Sequence, residues 1–237
     1  ETFMSAIRNT ISKDFPRMYF GHTTVVIMSR EIAQDGAIKI IDFILRDAEP
    51  RLSINLFVSE EKTAGEILKY KPSLSEILSV ELTNMLDEQK NLSKALMVPA
   101  YKFVNALTAE GVSGVLPSLC IVKNVDEKTV KLCGTAFFKE DKLQGFIDDE
   151  ETFALSFILD EVDGGILVAK VGSGTDEERI SLEILKSSTK IKPVYSDNKL
   201  SVKVEIETNV SINDNASKID LSDKKGRLKF LILGAIG

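Results

Sequence analysis

The stretch that decides the fold is residues 199–212, KLSVKVEIETNVSI, in which apolar and polar side chains alternate. A period of two is that of a β-strand with one face buried and the other in water. The apolar positions, interrupted only at Thr208, are Leu200, Val202, Val204, Ile206, Val210 and Ile212. A strand of this length would extend about 45 Å, longer than most, so we expect a bulge or bend in it and one buried face.

Further strand patterns precede this stretch. They are rich in β-branched and aliphatic side chains and lie at residues 115–123, 129–139, 143–147, 166–171, 180–185 and 189–195. The polar turn at 196–199 pairs the last of them with the long strand. A helix beginning at the acidic pair Asp148-Asp149 separates the two groups, since acidic residues favour the positive end of a helix dipole.

The first 111 residues mix helices with two strands. Apolar spacing predicts helices at 1–14, 30–35 and 37–45, and β-branched residues predict strands within 18–28 and at 54–58. Two capping boxes, Thr63 with Glu66 and Ser73 with Glu76, mark further helix starts. Pro99 suits the first position of another helix, which Gly111 ends in a left-handed conformation.

Burial can be predicted for two of these helices. The helix at 37–45 places Ile38, Ile41 and Leu45 on one face. The helix after Ser73 has a core stripe of Leu74, Ile77, Leu78, Leu82, Met85 and Leu86. Its water-facing residues are Glu81, Asn84, Asp87 and Glu88.

The elements together predict an α+β protein of three small domains, with mostly antiparallel sheets and helices packed on one face. The domains are residues 1–110, 111–163 and 164–237.

Composition excludes several classes of protein. The 237 residues are 43% hydrophobic and 28% charged, which is too apolar and too mixed for a disordered or fibrous chain. A net charge of −6 gives no general attraction to phosphate backbones, so nucleic acid is not an expected partner. No apolar run reaches the length of a membrane-spanning helix. The chain begins at Glu1, which leaves open a cytosolic protein or the removal of a targeting segment.

His22 is the only histidine, so any Ser–His or Cys–His mechanism would have to use it as general base. No serine, cysteine or acid flanks it at motif spacing, and a hydrogen-bonded structural histidine is therefore the favoured interpretation. The glycine pairs at 111–114 and 172–175 lack the lysine of a phosphate loop, and they are predicted to be a hinge and a hairpin turn.

Two acidic clusters, residues 148–151 and 160–163, are candidates for a cation site or a catalytic carboxylate pair. Neither has the alternating ligand pattern of a Ca²⁺ loop, so a helix start and a solvated turn are the favoured roles. The sequence therefore predicts no catalytic, metal-binding or cofactor-binding residue.

Cys120 and Cys133 are too few for a disulfide scaffold and lack metal-knuckle spacing. In a tight hairpin around residues 126–127, positions whose numbers sum to 253 face each other, which makes the two cysteines cross-strand neighbours. A disulfide forms if that register holds, but two buried free thiols are the favoured state. Their role is structural in either case.

Several strings of residues resemble the Ger(x)C family, the C-subunit lipoproteins of spore nutrient-germinant receptors. The N-terminal strings are residues 17–22, 27–33 and 42–47, with Gly36 and Arg51. The later ones are residues 134–139, 141–143, 150–152 and 190–192, with Gly145, Gly164-Gly165 and Ser187. The resemblance runs in order from Glu1 to about Ile212. Beyond Ile212 the family runs through helical segments, whereas this chain soon reaches the strand-like 228–236. The alternatives that the resemblance leaves open are missing residues, a truncated chain or a rearranged one.

The resemblance implies a non-enzymatic subunit with a lipid-modified cysteine, which carries palmitate or a similar acyl chain, on the outer face of the spore inner membrane. Its implied partners are the two integral-membrane subunits, A and B, of the receptor, with which it converts nutrient binding into germination. The signal peptide and the anchor cysteine are expected from the resemblance alone. No catalytic residue or cofactor is implied. The motif positions His22, Arg46 and Asp47 are expected to form a buried hydrogen-bonded network.

Two other classes of function are compatible with the sequence. A nutrient-binding module of the cell envelope would need a concave apolar pocket with converging polar groups. A carboxylate-dependent hydrolase acting on wall material is the more distant alternative.

Overall fold

The computed structural model describes Ser5, Ala6, Asn9 and residues 19–72, 75–123, 128–171, 178–196 and 198–215. Its helices are α1 Arg30–Asp35, α2 Ile38–Arg46, α3 Ala64–Leu68, α4 Leu78–Glu88, α5 Ala100–Thr108 and α6 Asp149–Ile158. Its strands are β1 Val25–Met28, β2 Asn55–Ser59, β3 Val115–Lys123, β4 Lys128–Lys139, β5 Lys142–Ile147, β6 Ile166–Val171, β7 Glu178–Ser196 and β8 Lys199–Asn215. A short 3₁₀ turn, Gln89–Asn91, follows α4. The α+β fold class is confirmed.

The first sheet has five strands in the order β1-β2-β3-β4-β5. β1, β2 and β3 pair in parallel, while β3, β4 and β5 form an antiparallel meander. Strands on both sides of Gly111 therefore belong to one sheet, and the second predicted boundary, at residue 164, falls between the two sheets. The division into three domains stays a prediction.

Helices cover both faces of the first sheet, which corrects the expectation of helices on one face. On one side, Leu56, Val58, Ala136 and Phe138 pack with α1, α2 and α5. On the other side, Phe57, Leu119, Val130 and Leu132 pack with α3 and α4. Burial on both faces is characteristic of sheets with parallel strands, whose helical crossovers lie on the sheet faces.

The second sheet has three antiparallel strands in the order β6-β7-β8. The predicted strands 180–185 and 189–195 form one continuous β7, which pairs with β8 along almost its whole length. The register shifts twice: Asn213 of β8 is the extra residue at the first shift and Leu185 of β7 at the second. The bulge expected within residues 199–212 therefore lies just beyond them and on the partner strand. The expected burial of one face of β8 is wrong, because its apolar side chains are exposed.

Two helices bury different residues from those predicted. In α2 the buried side chains are Ile40, Ile41 and Ile44, whereas Ile38 and Leu45 are about half exposed. Both sets have helical spacing, and the buried set is the one that shares a core with Leu56 and Val58 of β2. In α4, Glu81 is buried beside Leu82 and Leu86, contrary to the prediction that it faces water.

Most predicted boundaries agree with the structure. The capping box of Thr63 and Glu66 begins α3, Gly36 ends α1, and Gly111 has a φ of +73°. The helix predicted to start at Ser73 begins at Leu78 instead, and Ser75 to Ile77 form a bend. Ser73, Leu74, most of the predicted helix at 1–14, the turns at 126–127 and 172–175, and residues 228–236 lie outside the described residues.

Candidate functional site

The N-terminal motif positions do not form a buried network, which corrects that expectation. His22 is exposed, and its ring meets Tyr19 edge-on with centroids 5.7 Å apart. Arg46 is exposed and pairs with Asp42, Nε to Oδ1 at 2.5 Å. This hydrogen bond and the charge of Asp42 raise the pKa of Arg46.

Asp47 instead anchors a turn. Its carboxylate accepts the N–H of Glu49 at 2.9 Å, and the Glu49 carboxylate accepts the N–H of Phe20 at 2.9 Å. The ring of Phe20 packs edge-on against Phe43 of α2, with centroids 5.2 Å apart. These contacts fasten the segment before β1 to the end of α2, so the motif residues have a structural role.

Cys120 and Cys133 form a disulfide between β3 and β4, with Cα atoms 5.9 Å apart. The predicted free thiols and the predicted register are both wrong. Cys120 faces Lys131, whereas Leu119 pairs with Leu132 and Ser118 with Gly134. Cys133 is therefore the extra residue of a β-bulge, and the displaced backbone brings its sulfur to that of Cys120. The sequence contains no signal for this bulge other than Gly134, whose φ is +134°.

The cluster at residues 148–151 begins α6, as predicted. The Asp148 carboxylate accepts the N–H of Glu151 at 2.8 Å, and the Glu151 carboxylate accepts the N–H of Asp148 at 3.2 Å. Asp149 lies 3.6 Å from both Lys94 and Lys131. No group of three potential metal ligands occurs among the described residues.

The cluster at residues 160–163 connects elements as well as forming a turn. Asp160 accepts the N–H of Thr189 in β7 at 2.7 Å, and the Thr189 hydroxyl donates to the carbonyl of Phe157. Glu161 pairs with Lys102 of α5. The predicted solvated turn is thus also the connection from α6 to the second sheet.

A buried row of hydroxyl groups lies beneath α6, and sequence reasoning missed it. Thr152 Oγ1 lies 3.0 Å from Thr135 Oγ1 of β4, and Ser156 Oγ lies 3.1 Å from the carbonyl of Ser93. Ser93 Oγ donates in turn to the carbonyl of Gly164 at 2.8 Å. Satisfied buried hydroxyls fix one packing arrangement, here that of α6 on the first sheet at the start of the second.

A concave site of about 560 Å³ lies between α3 and the β3–β4 hairpin. Its lining residues are Glu66, Lys69, Tyr70, Lys71, Pro72, Ile121 and Lys128. Three lysines against one glutamate give it a positive balance that would suit an anionic or zwitterionic small molecule. Of the residues singled out in the sequence, only the capping residue Glu66 lines it.

The second sheet has an apolar surface that we call the open face. It consists of Leu200, Val202, Val204, Ile206, Val210 and Ile212, whose side chains are 37% to 71% exposed. Ile184 and Leu182 of β7 pair with Val210 and Ile212 and share this side of the sheet. Those two β7 residues are buried, at 4% and 5%. Within the described part of the chain, this side of the sheet is thus buried at two positions of β7 and exposed along β8.

Fold and site together define a two-sheet α+β protein whose polar clusters hold elements in place. Two family models match it in tandem. The model described as spore germination protein N-terminal domain matches residues 1–121, and the model described as spore germination B3/GerAC-like, C-terminal, matches residues 133–231. The chain belongs to this family, as the sequence motifs predicted. The family is not one of enzymes, which confirms the prediction of a non-enzymatic chain.

Curated relatives and a solved structure agree with the family match. Spore germination protein B3 of Bacillus subtilis (strain 168) is 25% identical over 232 residues, covering 96% of this chain and 60% of the relative. Spore germination protein KC of the same organism is 22% identical, covering 93% and 58%. The crystal structure of the GerBC protein superposes with a TM-score of 0.56 at 22% identity, covering 88% of this chain and 59% of that chain. The chain thus spans about three-fifths of the length of these relatives.

None of the helices formed by the described residues has the length and apolar character that crossing a membrane requires.

Proposed function

We propose that this chain is part of a non-enzymatic lipoprotein subunit of a spore germinant receptor, which acts through protein contacts in nutrient-triggered germination. The observation that carries the proposal is the tandem match of two germination-protein family models across residues 1–121 and 133–231. Relatives that align with more than nine-tenths of the chain are named as spore germination proteins.

The proposal places the subunit on the outer face of the spore inner membrane, held by an N-terminal lipid and in contact with the integral-membrane A and B subunits. In this proposal, the covalent lipid is what holds the subunit at the bilayer. The Cys120–Cys133 disulfide supports a location outside the reducing cytosol, because disulfides persist in oxidising compartments.

The receptor role is tested in spores of the source organism that lack the gene. Nutrient-triggered release of spore contents should be lost, while a chemical that bypasses nutrient receptors still triggers it. Re-expression of the gene should restore the response. Nutrient germination that stays normal in the deletion would contradict the proposal.

The proposal that the subunit does not act as an enzyme can be tested separately. The variant His22→Ala with Asp148→Asn keeps a good helix cap at residue 148, since asparagine caps about as well as aspartate. Expression of this double variant in the spores that lack the gene should restore nutrient germination fully. A variant that is produced at normal levels and yet fails to restore germination would contradict a purely structural role for these groups.

A second function, direct capture of a nutrient, is favoured by the positively balanced concave site beside Tyr70. A ligand that binds only the folded state raises the melting temperature in a saturable way. Thermal-shift measurements with amino acids and sugars should show no such rise if the subunit acts through protein contacts alone. A saturable rise that Lys69→Gln and Lys128→Gln abolish, but the distant Lys102→Gln does not, would favour capture.

A further inference from the structure

The concave site between α3 and the β3–β4 hairpin has lysine charges that no carboxylate pairs with. Its three lysines, Lys69, Lys71 and Lys128, are all exposed. Within the described part of the chain, none of the three has an ion pair, whereas Lys102 of α5 pairs with Glu161. Unpaired cations that line one concavity are available to a ligand.

The acidic lining residue of the site, Glu66, is already engaged. Its Oε1 accepts the backbone N–H and the hydroxyl of Thr63, each at 3.2 Å, in the capping box that begins α3. Three lysines and one glutamate leave the lining residues with a balance of two positive charges. This balance concerns the lining residues alone, since Asp126 and Glu127 beside Lys128 lie outside the described residues. A concave surface of one sign concentrates the electrostatic potential and attracts a counter-ion.

The rest of the wall is apolar and is held by the first sheet. Tyr70 and Ile121 pack against the core that contains Ile67, which is fully buried. The N–H of Tyr70 donates to the carbonyl of Ile67 at 3.0 Å. The N–H of Ile121 donates to the carboxylate of Glu61 at 2.9 Å. The lysines therefore surround a preformed concavity, whose volume of about 560 Å³ is that of a small-molecule site.

The kinds of cation in the site favour a phosphate group as the ligand. An ammonium group is a compact charge with three donors, whereas the planar fork of arginine is what fits a planar carboxylate in two hydrogen bonds. None of the described lining residues is an arginine. A phosphate monoester carries close to two negative charges at pH 7 and has three strong acceptor oxygens. Its charge matches the balance of the lining residues, and its oxygens suit three lysines.

We propose that the concave site binds the phosphate monoester group of a small molecule or of a lipid headgroup. Lys69, Lys71 and Lys128 contact the phosphate oxygens, and Tyr70 and Ile121 contact the attached carbon skeleton. The inference goes beyond both the receptor role and the capture of sugars or amino acids. It stands whether or not the chain takes part in germination, because it concerns binding by the chain alone.

NMR titration of the full 237-residue chain with glycerol 1-phosphate tests the site. We expect saturable shifts of the amide signals of Lys69, Tyr70 and Ile121. Glycerol, which lacks the phosphate, and acetate, which has one negative charge, should bind at least about fivefold more weakly at the same ionic strength. Equal binding of acetate and glycerol 1-phosphate, or no shift with the phosphate ester, would overturn the proposal.

Paired lysine substitutions separate the site from a general effect of net charge. Lys69→Gln with Lys128→Gln should weaken binding of glycerol 1-phosphate by about tenfold. The control pair, Lys39→Gln with Lys102→Gln, removes the same charge from α2 and α5, which pack on the opposite side of the first sheet from α3. It should leave the affinity within about twofold, because screening weakens distant charges. An equal loss in both pairs would overturn the site.

Glu66→Gln should change the affinity in the opposite direction. Glutamine keeps the capping box, because its amide oxygen still accepts the N–H of Thr63, and the balance of the lining residues rises to three positive charges. Binding should tighten by about two- to fivefold, a gain that a misfolded variant does not produce. Unchanged or weaker binding in this variant would contradict the proposal.

Vesicles distinguish the two sources of the phosphate group. Vesicles of phosphatidylcholine with phosphatidic acid carry the monoester, and vesicles of phosphatidylcholine alone do not. Sedimentation of the chain with the first kind only, lost in Lys69→Gln with Lys128→Gln, assigns a lipid headgroup. No sedimentation with either kind, together with the expected NMR shifts, assigns a soluble phosphate ester. Sedimentation that the two substitutions leave unchanged would place phosphate binding elsewhere and overturn the proposal.

Discussion

The strands β4 and β8 both have apolar residues at alternate positions, yet one is buried and the other is not. In β4, Val130 and Leu132 lie in one core and Ala136 and Phe138 in the other, and none is more than 5% exposed. The bulge at Cys133 moves the apolar side chains from one face of the sheet to the other. The apolar side chains of β8 are instead 37% to 71% exposed. Alternation therefore predicts a strand, whereas burial depends on the elements packed against it.

The largest expected difference between the two sheets comes from matched leucine truncations. Leu119 is fully buried in the first sheet, and Leu185 is 63% exposed in the second, away from the open face. Leu119→Ala should lower the free energy of unfolding by about 2–5 kcal/mol, because it removes buried surface and leaves a cavity. Leu185→Ala should cost less than about 0.5 kcal/mol. Urea unfolding of the two variants measures both, and equal losses would contradict the described burial.

The disulfide should contribute the next largest effect, and only to the first sheet. Its sulfurs close a loop with a sequence separation of 13 residues. Replacing both cysteines by serine should lower the free energy of unfolding by about 3 kcal/mol, because the unfolded chain gains freedom.

The control for the disulfide is chemical. A reductant should destabilise the natural chain by a similar amount and leave the C120S/C133S variant unchanged. If reductant has no effect on the natural chain, the two thiols are free and the described disulfide is contradicted.

Local signals made much of the fold predictable. Capping boxes, glycines and β-branched runs act within a few residues, and they located α3, α6 and the strands β3 to β6 to within one or two positions. The long alternating strand was likewise found at nearly its full length, with Lys199 as its first residue. These elements were predictable because their causes lie in the same stretch of chain.

Features fixed by distant residues could not be predicted in this way. The carbonyl of Asp141, in the β4–β5 turn, accepts the N–H of Ala37 at 2.8 Å at the start of α2, across more than a hundred residues. The buried face of α2 depends on the strands beneath it, and the disulfide depends on a bulge. The hydroxyl row of Thr135, Thr152 and Ser156 has no periodic pattern at all. His22, Arg46 and Asp47 were identified as motif residues, but nothing local showed that they would be exposed or part of a turn.

A smaller effect should separate helix formation from sheet packing. Asp148→Ala removes one half of the capping box at the start of α6. It should cost about 1 kcal/mol, while Asp148→Asn should cost only a few tenths, because the amide oxygen still accepts the N–H of Glu151. Thermal unfolding compares the two. An equal loss in both variants would show that the charge at residue 148, rather than the cap, stabilises α6.

The smallest effect concerns the polar face of the long hairpin. Lys203 hydrogen-bonds to Glu205 at 2.6 Å, and Lys192 lies 3.6 Å away on β7. The hydrogen bond from Lys203 is the main cause that lowers the pKa of Glu205 below its ordinary value, and the charges of Lys192 and Lys203 add to it. The folded pKa is depressed, so the stabilisation is present above the unfolded-state value and is lost as the pH falls through the folded value. The pair is exposed, so salt should weaken the effect.

Carboxyl NMR titration should find a lowered pKa of Glu205 in the natural chain and a higher pKa in Lys203→Gln. The control variant Lys102→Gln changes a lysine outside the hairpin and should leave the pKa of Glu205 unchanged. A titration of Glu205 that is the same in all three proteins would show that the ion pairs on this face do not persist in solution, unlike the cross-strand contacts that hold the first sheet.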